Sequence, residues 1–229
     1  MKIKLKLIVT VLVFVLSFSL LGCGIDTGYM RINLNGGNYS EAYMAEKNYS
    51  SANVTAGINK AYFEGACGYL PDAEDMIAPS GKVFAGWYFT KETTPDSYFT
   101  EENYLNAYKD VNTTTVYARW IDEGNINVVL DLNNSGADYT DAYRQSKGGF
   151  TYKPYQFVIS ASNLQAVVDA LPTASEVQHT DENYGFRGWY LDIYYQKEVT
   201  VENLTELLSS QSSAVVQIYG WWDYGYSPV

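Results

Sequence analysis

One feature constrains the fold of this chain more than any other: nearly the same pentapeptide occurs twice. Phe-Ala-Gly-Trp-Tyr occupies residues 84–88, and Phe-Arg-Gly-Trp-Tyr occupies residues 186–190. Four further segments recur in the same order, at spacings between 98 and 102 residues. They are Leu34–Gly37 with Leu132–Gly136, Tyr39–Tyr43 with Tyr139–Tyr143, Leu70-Pro71 with Leu171-Pro172, and Tyr117–Trp120 with Tyr219–Trp222. A period held over five segments predicts one module used twice.

The repeat sets the predicted domain boundaries. Module one covers residues 29–121, residues 122–125 form a short polar linker, and module two covers residues 126–229 with an aromatic C-terminal tail. A linker of four residues allows the modules either to pack rigidly or to swing.

The first 22 residues are predicted to be a secretory signal and no part of the fold. Lys2, Lys4 and Lys6 precede an apolar run of 14 residues, Leu7–Leu20, which is short for a membrane span. The run ends in Leu-Leu-Gly-Cys, which resembles the bacterial lipobox. That resemblance implies lipidation of Cys23, a tether over residues 23–28, and a location on the extracellular face of the cell membrane. An uncleaved N-terminal helix with an incidental cysteine is the alternative.

Cysteine usage agrees with lipidation. The chain has two cysteines, and if Cys23 carries lipid, Cys67 has no intramolecular partner. A buried, inert thiol is then the expected state of Cys67. A disulfide between the two is open only if Cys23 is not lipidated.

Composition predicts a folded, β-rich protein with an acidic surface. The chain has 22 tyrosines and five tryptophans, residue types that favour strands. Its formal net charge of −11, with both signs scattered, excludes a nucleic-acid partner because phosphate binding needs a positive surface.

Hydrophobic patterns place a strand at each end of both modules. Met30–Leu34 and Ile126–Leu132 are the predicted opening strands, and Thr113–Ile121 and Ala214–Asp223 are the predicted closing strands. Alternation along the first closing strand puts Arg119 on a face that we expect to be at least partly solvated.

Two short helices are predicted in module two. Over Asn163–Leu171, apolar residues recur at helical spacing, with Ser162 as the expected N-cap and Pro172 beyond the end. The apolar residues Val201, Leu204, Leu207 and Leu208 predict the second helix. A weaker counterpart of the first helix is expected within Ala61–Tyr69 of module one.

The strand ending in Asn-Gly-Gly, the later proline, the Phe-x-Gly-Trp-Tyr segment and the closing Tyr-Ala-Arg-Trp together resemble the Listeria–Bacteroides repeat, also called the internalin B-repeat. The resemblance covers nearly the whole chain after the signal, in two copies. It implies an α+β fold of two tandem β-grasp-like modules, β-rich with short helices. It also implies a surface-displayed interaction or spacer module without enzymatic activity. The chain departs from the family in module two, which has Asn-Asn-Ser-Gly and Tyr-Gly-Trp-Trp, and both copies are longer than the usual repeat.

The repeated residues are predicted to build the core of each module, because buried aromatic rings remove large apolar areas from water. This set is Phe84, Gly86, Trp87 and Trp120 in module one and Phe186, Gly188, Trp189 and Trp222 in module two. The two glycines are expected at a bulge or at a close approach of the backbone.

Trp221 is the candidate ligand contact, because it aligns with the charged residue Arg119 of module one. A tryptophan on a solvated face either packs on the neighbouring module or the tail, or contacts a ligand such as a sugar ring.

The segment Asp131–Asp138 has the oxygen spacing that begins a calcium loop, but Ala142 stands where the closing glutamate would be. A turn rich in Asn, Asp and Gly for backbone reasons is the alternative explanation. No metal site and no cofactor are therefore predicted.

Catalytic constellations are not recognisable in the sequence. The single histidine, His179, lies in the polar segment Gln178–Asn183 and is expected to be solvated. We therefore expect a non-catalytic adhesion or interaction protein, with a host or matrix protein or a glycan as partner. A carbohydrate-binding lipoprotein that uses exposed Trp and Tyr is the main alternative, and an enzyme of unrecognised type or a pure spacer are remote ones.

Overall fold

The computed structural model of the chain describes residues 29–53, 56–59, 70–100, 103–104 and 113–225. The described part is α+β, rich in strands with a few short helices. The strands are β1 (Tyr29–Asn33), β2 (Asn38–Tyr39), β3 (Ala56–Asn59), β4 (Met76–Ile77), β5 (Lys82–Tyr88), β6 (Thr113–Asp122), β7 (Asn125–Asp131), β8 (Ala137–Tyr139), β9 (Tyr155–Ser160), β10 (Val177–His179), β11 (Tyr184–Tyr190) and β12 (Val215–Tyr224). The α-helices are α1 (Glu41–Lys47), α2 (Asp141–Ser146), α3 (Leu164–Asp169) and α4 (Val201–Ser210).

Two four-stranded sheets have the same order and directions of strands. The first sheet runs β3-β1-β6-β5 and the second runs β9-β7-β12-β11. In both, the two central strands are parallel and both edge strands are antiparallel to their neighbours. The registers also correspond. Tyr29 lies opposite Thr113 in the first sheet, and the equivalent residues of the second sheet, Asn127 and Val215, also lie opposite each other. The predicted opening and closing strands are all confirmed, with ends that differ by at most one residue.

Each sheet is accompanied by a two-stranded ribbon and a capped helix. Strand β2 pairs with β4, and β8 pairs with β10. The helix after the first strand of each ribbon begins at a hydroxyl cap: Ser40 accepts from the Tyr43 N–H, and Thr140 accepts from the Tyr143 N–H. Such a cap satisfies an N–H that the first turn leaves unpaired and contributes about 1 kcal/mol.

The two glycines of the repeated pentapeptide lie at β-bulges. The register shifts between Phe84 and Trp87, and again between Phe186 and Gly188. Gly86 has φ +109 and Gly188 has φ +147, a backbone region that L side chains rarely adopt. A bulge adds twist to its strand, so each pentapeptide bends the edge of its sheet.

The tryptophans of the repeats hold distant segments by their indole N–H groups. In the first half, Trp87 donates to the Pro71 carbonyl oxygen (3.3 Å) and Trp120 donates to that of Leu34 (2.7 Å). In the second half, the equivalent bonds run from Trp189 to Pro172 (2.7 Å) and from Trp222 to Leu132 (2.9 Å). Phe84, Trp87 and Trp189 are buried, whereas Trp120, Phe186 and Trp222 are partly buried and pack against the two cores.

Both predicted helices of the second half are present. The first is shorter than predicted, and its N-cap is Asn163, whose side chain accepts from the Ala166 N–H, so the prediction of Ser162 was wrong. The second helix, α4, is capped by Thr200, and its Leu204 is buried.

Several predictions fall outside the described residues. They are the signal (1–22), the tether with Cys23 (23–28), the helix expected within 61–69, and Cys67. Within the described ranges, no helix is long and apolar enough to cross a membrane.

The segment 122–125 contains a two-residue turn. Asp122 ends β6, Glu123 and Gly124 form the turn, and Asn125 begins β7. The Gly124 carbonyl oxygen accepts from the Ala161 N–H at 2.8 Å, and the Glu123 N–H donates to the Gly81 carbonyl oxygen at 3.1 Å. The turn is thus tied to both halves of the molecule.

Candidate functional site

A buried polar cluster joins the two sheets. We call Tyr88, Arg119, Asn127 and Gln156 the inter-sheet cluster; the first two lie on β5 and β6 of the first sheet, the others on β7 and β9 of the second. The Tyr88 hydroxyl donates to the Gln156 side-chain oxygen and accepts from Arg119 (2.8 Å) and Asn127 (3.1 Å). Gln156 also donates to the Pro95 carbonyl oxygen at 3.0 Å.

Three of the four members of this cluster are buried, and its tyrosine is neutral. Tyr88 and Asn127 are fully buried and Gln156 is 3% exposed. Burial raises the pKa of Tyr88, and the charge and hydrogen bond of Arg119 only partly offset that effect. The hydroxyl therefore stays protonated and able to donate at neutral pH. Because a buried polar group without a partner costs about 1–3 kcal/mol, the cluster favours one arrangement of the two sheets.

Backbone and apolar contacts strengthen the same interface. The Ala214 N–H donates to the Phe84 carbonyl oxygen at 2.9 Å, and the Asn127 side chain donates to that of Ala85 at 3.0 Å. Ala85, Ile121 and Ala214 form a small buried apolar group between the halves. The half-buried state of Arg119 agrees with the prediction of a face that is at least partly solvated, whereas its contact with the second sheet was not predicted.

The structure places Trp221 in an aromatic group of its own half. We call Tyr190, Ile193, Tyr194, Tyr195 and Trp221 the open aromatic face. The ring of Trp221 stacks on Tyr195 (centroids 5.5 Å apart, 18° between planes) and meets Tyr190 edge-on at 5.6 Å. Trp221 thus packs on a loop of its own half. The predicted packing partners were the other module and the C-terminal tail, and this loop belongs to neither.

The loop that carries this face is fixed by a carboxylate. Asp192 accepts the backbone N–H groups of Tyr194 (2.8 Å), Gln196 (3.0 Å) and Lys197 (2.8 Å). Burial raises the pKa of Asp192, but these backbone hydrogen bonds outweigh it and the net pKa is lowered. The loop consequently holds Tyr194 (75% exposed) and Ile193 (51% exposed) out towards solvent.

Tyr190 and Trp221 of the open aromatic face occupy the same positions in the second sheet as Tyr88 and Arg119 of the inter-sheet cluster occupy in the first sheet. Tyr88 lies opposite Tyr117 in the first sheet, and Tyr190 lies opposite Tyr219 in the second. Two residues beyond these partners stand Arg119 and Trp221 respectively. In the first half this position is covered by the second sheet, whereas in the second half its described neighbours are Tyr190, Tyr195 and Arg187 of the same half.

A cleft of about 1130 Å³ lies between the two halves. Its first wall comes from six residues of the first half: Phe89, Thr90, Asp96, Ser97, Thr100 and Asn103. Its second wall comes from Asp131–Asp138 and Thr151–Pro154, with Tyr139 and Arg144. The lining mixes aromatic rings, amides, hydroxyls and charged groups.

The loop considered for calcium uses its oxygens in protein contacts. Asp131 Oδ1 accepts from the Asn133 N–H (2.8 Å), and Asn134 Oδ1 accepts from the Gly136 N–H (3.1 Å). The Asp138 carboxylate pairs with Arg144 and with Lys153. These bonds fit the backbone explanation of the loop. In the described part of the chain, no group of three or more His, Cys, Asp or Glu side chains is arranged to hold a metal ion.

His179 is part of the packing, so the prediction of a solvated loop histidine was wrong. It ends β10, and its ring lies 4.3 Å from that of Tyr184 and 5.4 Å from that of Trp222, measured between centroids. Its Nε2 and the Asn134 Oδ1 are 2.9 Å apart. The histidine thus links the Asn-rich loop to the aromatic end of the second sheet.

The inter-sheet cluster was missed at the sequence level, although one signal was present. Asn127 interrupts the apolar strand Ile126–Leu132, where a polar side chain needs a buried partner. The partners Tyr88 and Gln156 stand 39 and 29 residues away and have no local pattern that links them. Comparison of the chain with models of known families, with curated proteins and with solved structures gives no match.

Proposed function

We propose that this chain is a lipid-anchored extracellular bacterial protein that works by binding, without catalysis, as an adhesion or interaction protein. In this proposal it consists of two β-grasp-like modules of the Listeria–Bacteroides type, held at the membrane through Cys23. The shared strand order supports the modules, since a first and a last strand that lie parallel at the sheet centre are typical of β-grasp folds.

The observation that carries the binding function is the open aromatic face. Tyr190 and Trp221 stand at the positions where the first half makes its buried contact with the second, and the loop that packs on Trp221 adds the exposed Tyr194 and Ile193. Tyrosine and tryptophan are enriched at the centres of protein interfaces, where they supply most of the binding free energy. Because the loop is fixed by Asp192, these rings need little further ordering on binding.

The partner that fits this face is a protein with a basic surface. The chain carries a formal net charge of −11, which attracts a positive partner and speeds the encounter. Lysine and arginine side chains of such a partner would also be attracted to the faces of exposed tyrosine rings. Proteins of the host or of an extracellular matrix are candidates of this chemistry.

Carbohydrate binding through Trp221 is less well supported at this face. One side of the Trp221 ring is already stacked on Tyr195, and the Arg187 guanidinium lies 6.0 Å from the Trp221 ring centre. A sugar ring that stacks on Trp221 would have to displace one of these groups.

The proposal is tested by measuring binding of the full-length chain, reconstituted in lipid vesicles, to a panel of basic matrix proteins and acidic control proteins. We expect saturable binding to at least one basic protein, and we expect it to weaken as salt is raised. Absence of saturable binding across the basic panel would overturn the proposal.

A further inference from the structure

The cleft between the two halves has the dimensions of a binding site. Ligand sites occur preferentially at domain interfaces and usually have volumes of about 300–1,000 Å³. This cleft, at about 1130 Å³, lies just above that range. A ligand that fills it is therefore larger than one small ring.

The charges that line the cleft disfavour an anionic ligand. Arg144 and Lys153 are its two cations, and both pair with the Asp138 carboxylate. Arg144 also donates to the Phe150 carbonyl oxygen (3.0 Å), and Lys153 donates to that of Ala137 (2.7 Å). Because both cations are already engaged, a phosphate or carboxylate ligand would have to break protein contacts.

The remaining lining suits a molecule with both apolar faces and hydroxyl edges. Phe89 from the first half and Tyr152 from the second contribute half-buried aromatic rings. Amides and hydroxyls are also part of the lining, among them Asn103, Asn133, Asn134, Thr100, Ser135 and Thr151, beside the carboxylates of Asp96 and Asp131. Pyranose rings match this mixture, because their C–H faces lie on aromatic rings while their hydroxyls bond to amides and hydroxyls.

Contacts between the two walls preform the cleft. The Asn103 side chain of the first half donates to the Lys153 carbonyl oxygen of the second half at 3.3 Å. Gln156, beside this wall, makes the contacts of the inter-sheet cluster described above. Binding would therefore need little rearrangement, which lowers its entropic cost.

We propose that this cleft binds an uncharged oligosaccharide through residues of both halves. The site is distinct from the open aromatic face. The two proposals are thus independent, although Asn133 belongs to the cleft lining and also donates to the Tyr195 hydroxyl.

The test is a microarray of short neutral oligosaccharides (gluco-, xylo-, manno- and chito-oligosaccharides), probed with the full-length chain in detergent and followed by calorimetry on the hits. Ser135→Trp and Thr151→Trp place a large ring in the cleft at exposed positions, so neither removes a buried contact. Tyr152→Ala removes the aromatic wall. We expect each variant to weaken saccharide binding by at least about tenfold.

Tyr194→Ser is the matched control, because it alters the open aromatic face and leaves the cleft lining intact. Saccharide binding should be unchanged in this variant, whereas binding of a protein partner should fall. The cleft proposal is overturned if no neutral oligosaccharide binds, or if the hits bind the Ser135→Trp, Thr151→Trp and Tyr152→Ala variants as they bind the natural chain.

Discussion

The Tyr88 hydroxyl donates a hydrogen bond to the Gln156 side chain of the opposite sheet, and both side chains are buried. Through this contact the edge of the first sheet is joined to the edge of the second. The two halves consequently share one polar network, and we expect a substitution in the network on either sheet to lower the stability of both halves.

Loss of the Tyr88 hydroxyl should destabilise the whole protein. Tyr88→Phe leaves Arg119, Asn127 and Gln156 each without one bond, and we expect the free energy of unfolding to fall by about 1–3 kcal/mol in urea denaturation. The control is Tyr190→Phe, the equivalent tyrosine of the second half, which lies on the open aromatic face and should change stability by less than about 0.5 kcal/mol. Equal effects of the two changes would contradict the importance of the inter-sheet cluster.

The two bulge glycines should differ in their tolerance of a side chain. Both have positive φ, so Gly86→Ala and Gly188→Ala each introduce backbone strain. A Cβ at Gly86 would also lie 2.9 Å from the Tyr98 ring, whereas a Cβ at Gly188 would meet its nearest atom at 3.6 Å. We expect Gly86→Ala to lower the thermal midpoint more than Gly188→Ala does, and the reverse order would show that the clash is relieved without cost.

The features that the sequence predicted correctly lie mainly in the repeated segments. Strand positions, the bulges at Gly86 and Gly188 and the buried Trp87 and Trp189 follow from local patterns and from their repetition. The N-cap at Asn163 was missed because Ser162 is an equally good capping residue, and only the path of the chain decides between them. His179 was misjudged, and the contact of Arg119 with the second sheet was not predicted, because partners of both residues are distant in sequence. The burial of a polar side chain depends on such partners.

Alkaline pH should unfold the protein through its buried tyrosines. Burial, followed by Tyr49 and the carboxylates of Asp75 and Glu46, raises the pKa of Tyr43 to about 12 from its ordinary 10.0. Because the pKa of Tyr43 is higher in the folded than in the unfolded protein, the stabilisation by its protonated side chain is complete below pH 10. This stabilisation is lost as the pH rises through about 12. We expect Tyr43→Phe to flatten the fall of stability over this interval in denaturation experiments. The exposed Tyr194→Phe control should leave the fall as it is in the natural chain, and a slope unchanged by Tyr43→Phe would contradict the assignment.

Membrane attachment should depend on one sulfur atom. In the proposed lipoprotein, Cys23→Ala abolishes incorporation of labelled palmitate and moves the chain out of the membrane fraction, because stable anchoring requires the acyl chains. Cys67→Ala serves as the control and should keep both properties. Retention of the Cys23→Ala variant in membranes would instead favour an uncleaved N-terminal helix as the anchor.

Binding through the open aromatic face can be tested by comparing four proteins. The dissociation constant for the basic protein partner is measured for the natural chain and for Tyr194→Ser, Trp221→Ala and Tyr224→Ser. Tyr224 is the matched control because it is a similarly exposed tyrosine, at 66% against 75% for Tyr194, but packs on Tyr184, outside the open aromatic face. We expect Tyr194→Ser and Trp221→Ala each to weaken binding by about tenfold or more, whereas Tyr224→Ser should bind as the natural chain does. Equal affinity of all four proteins would contradict binding through this face.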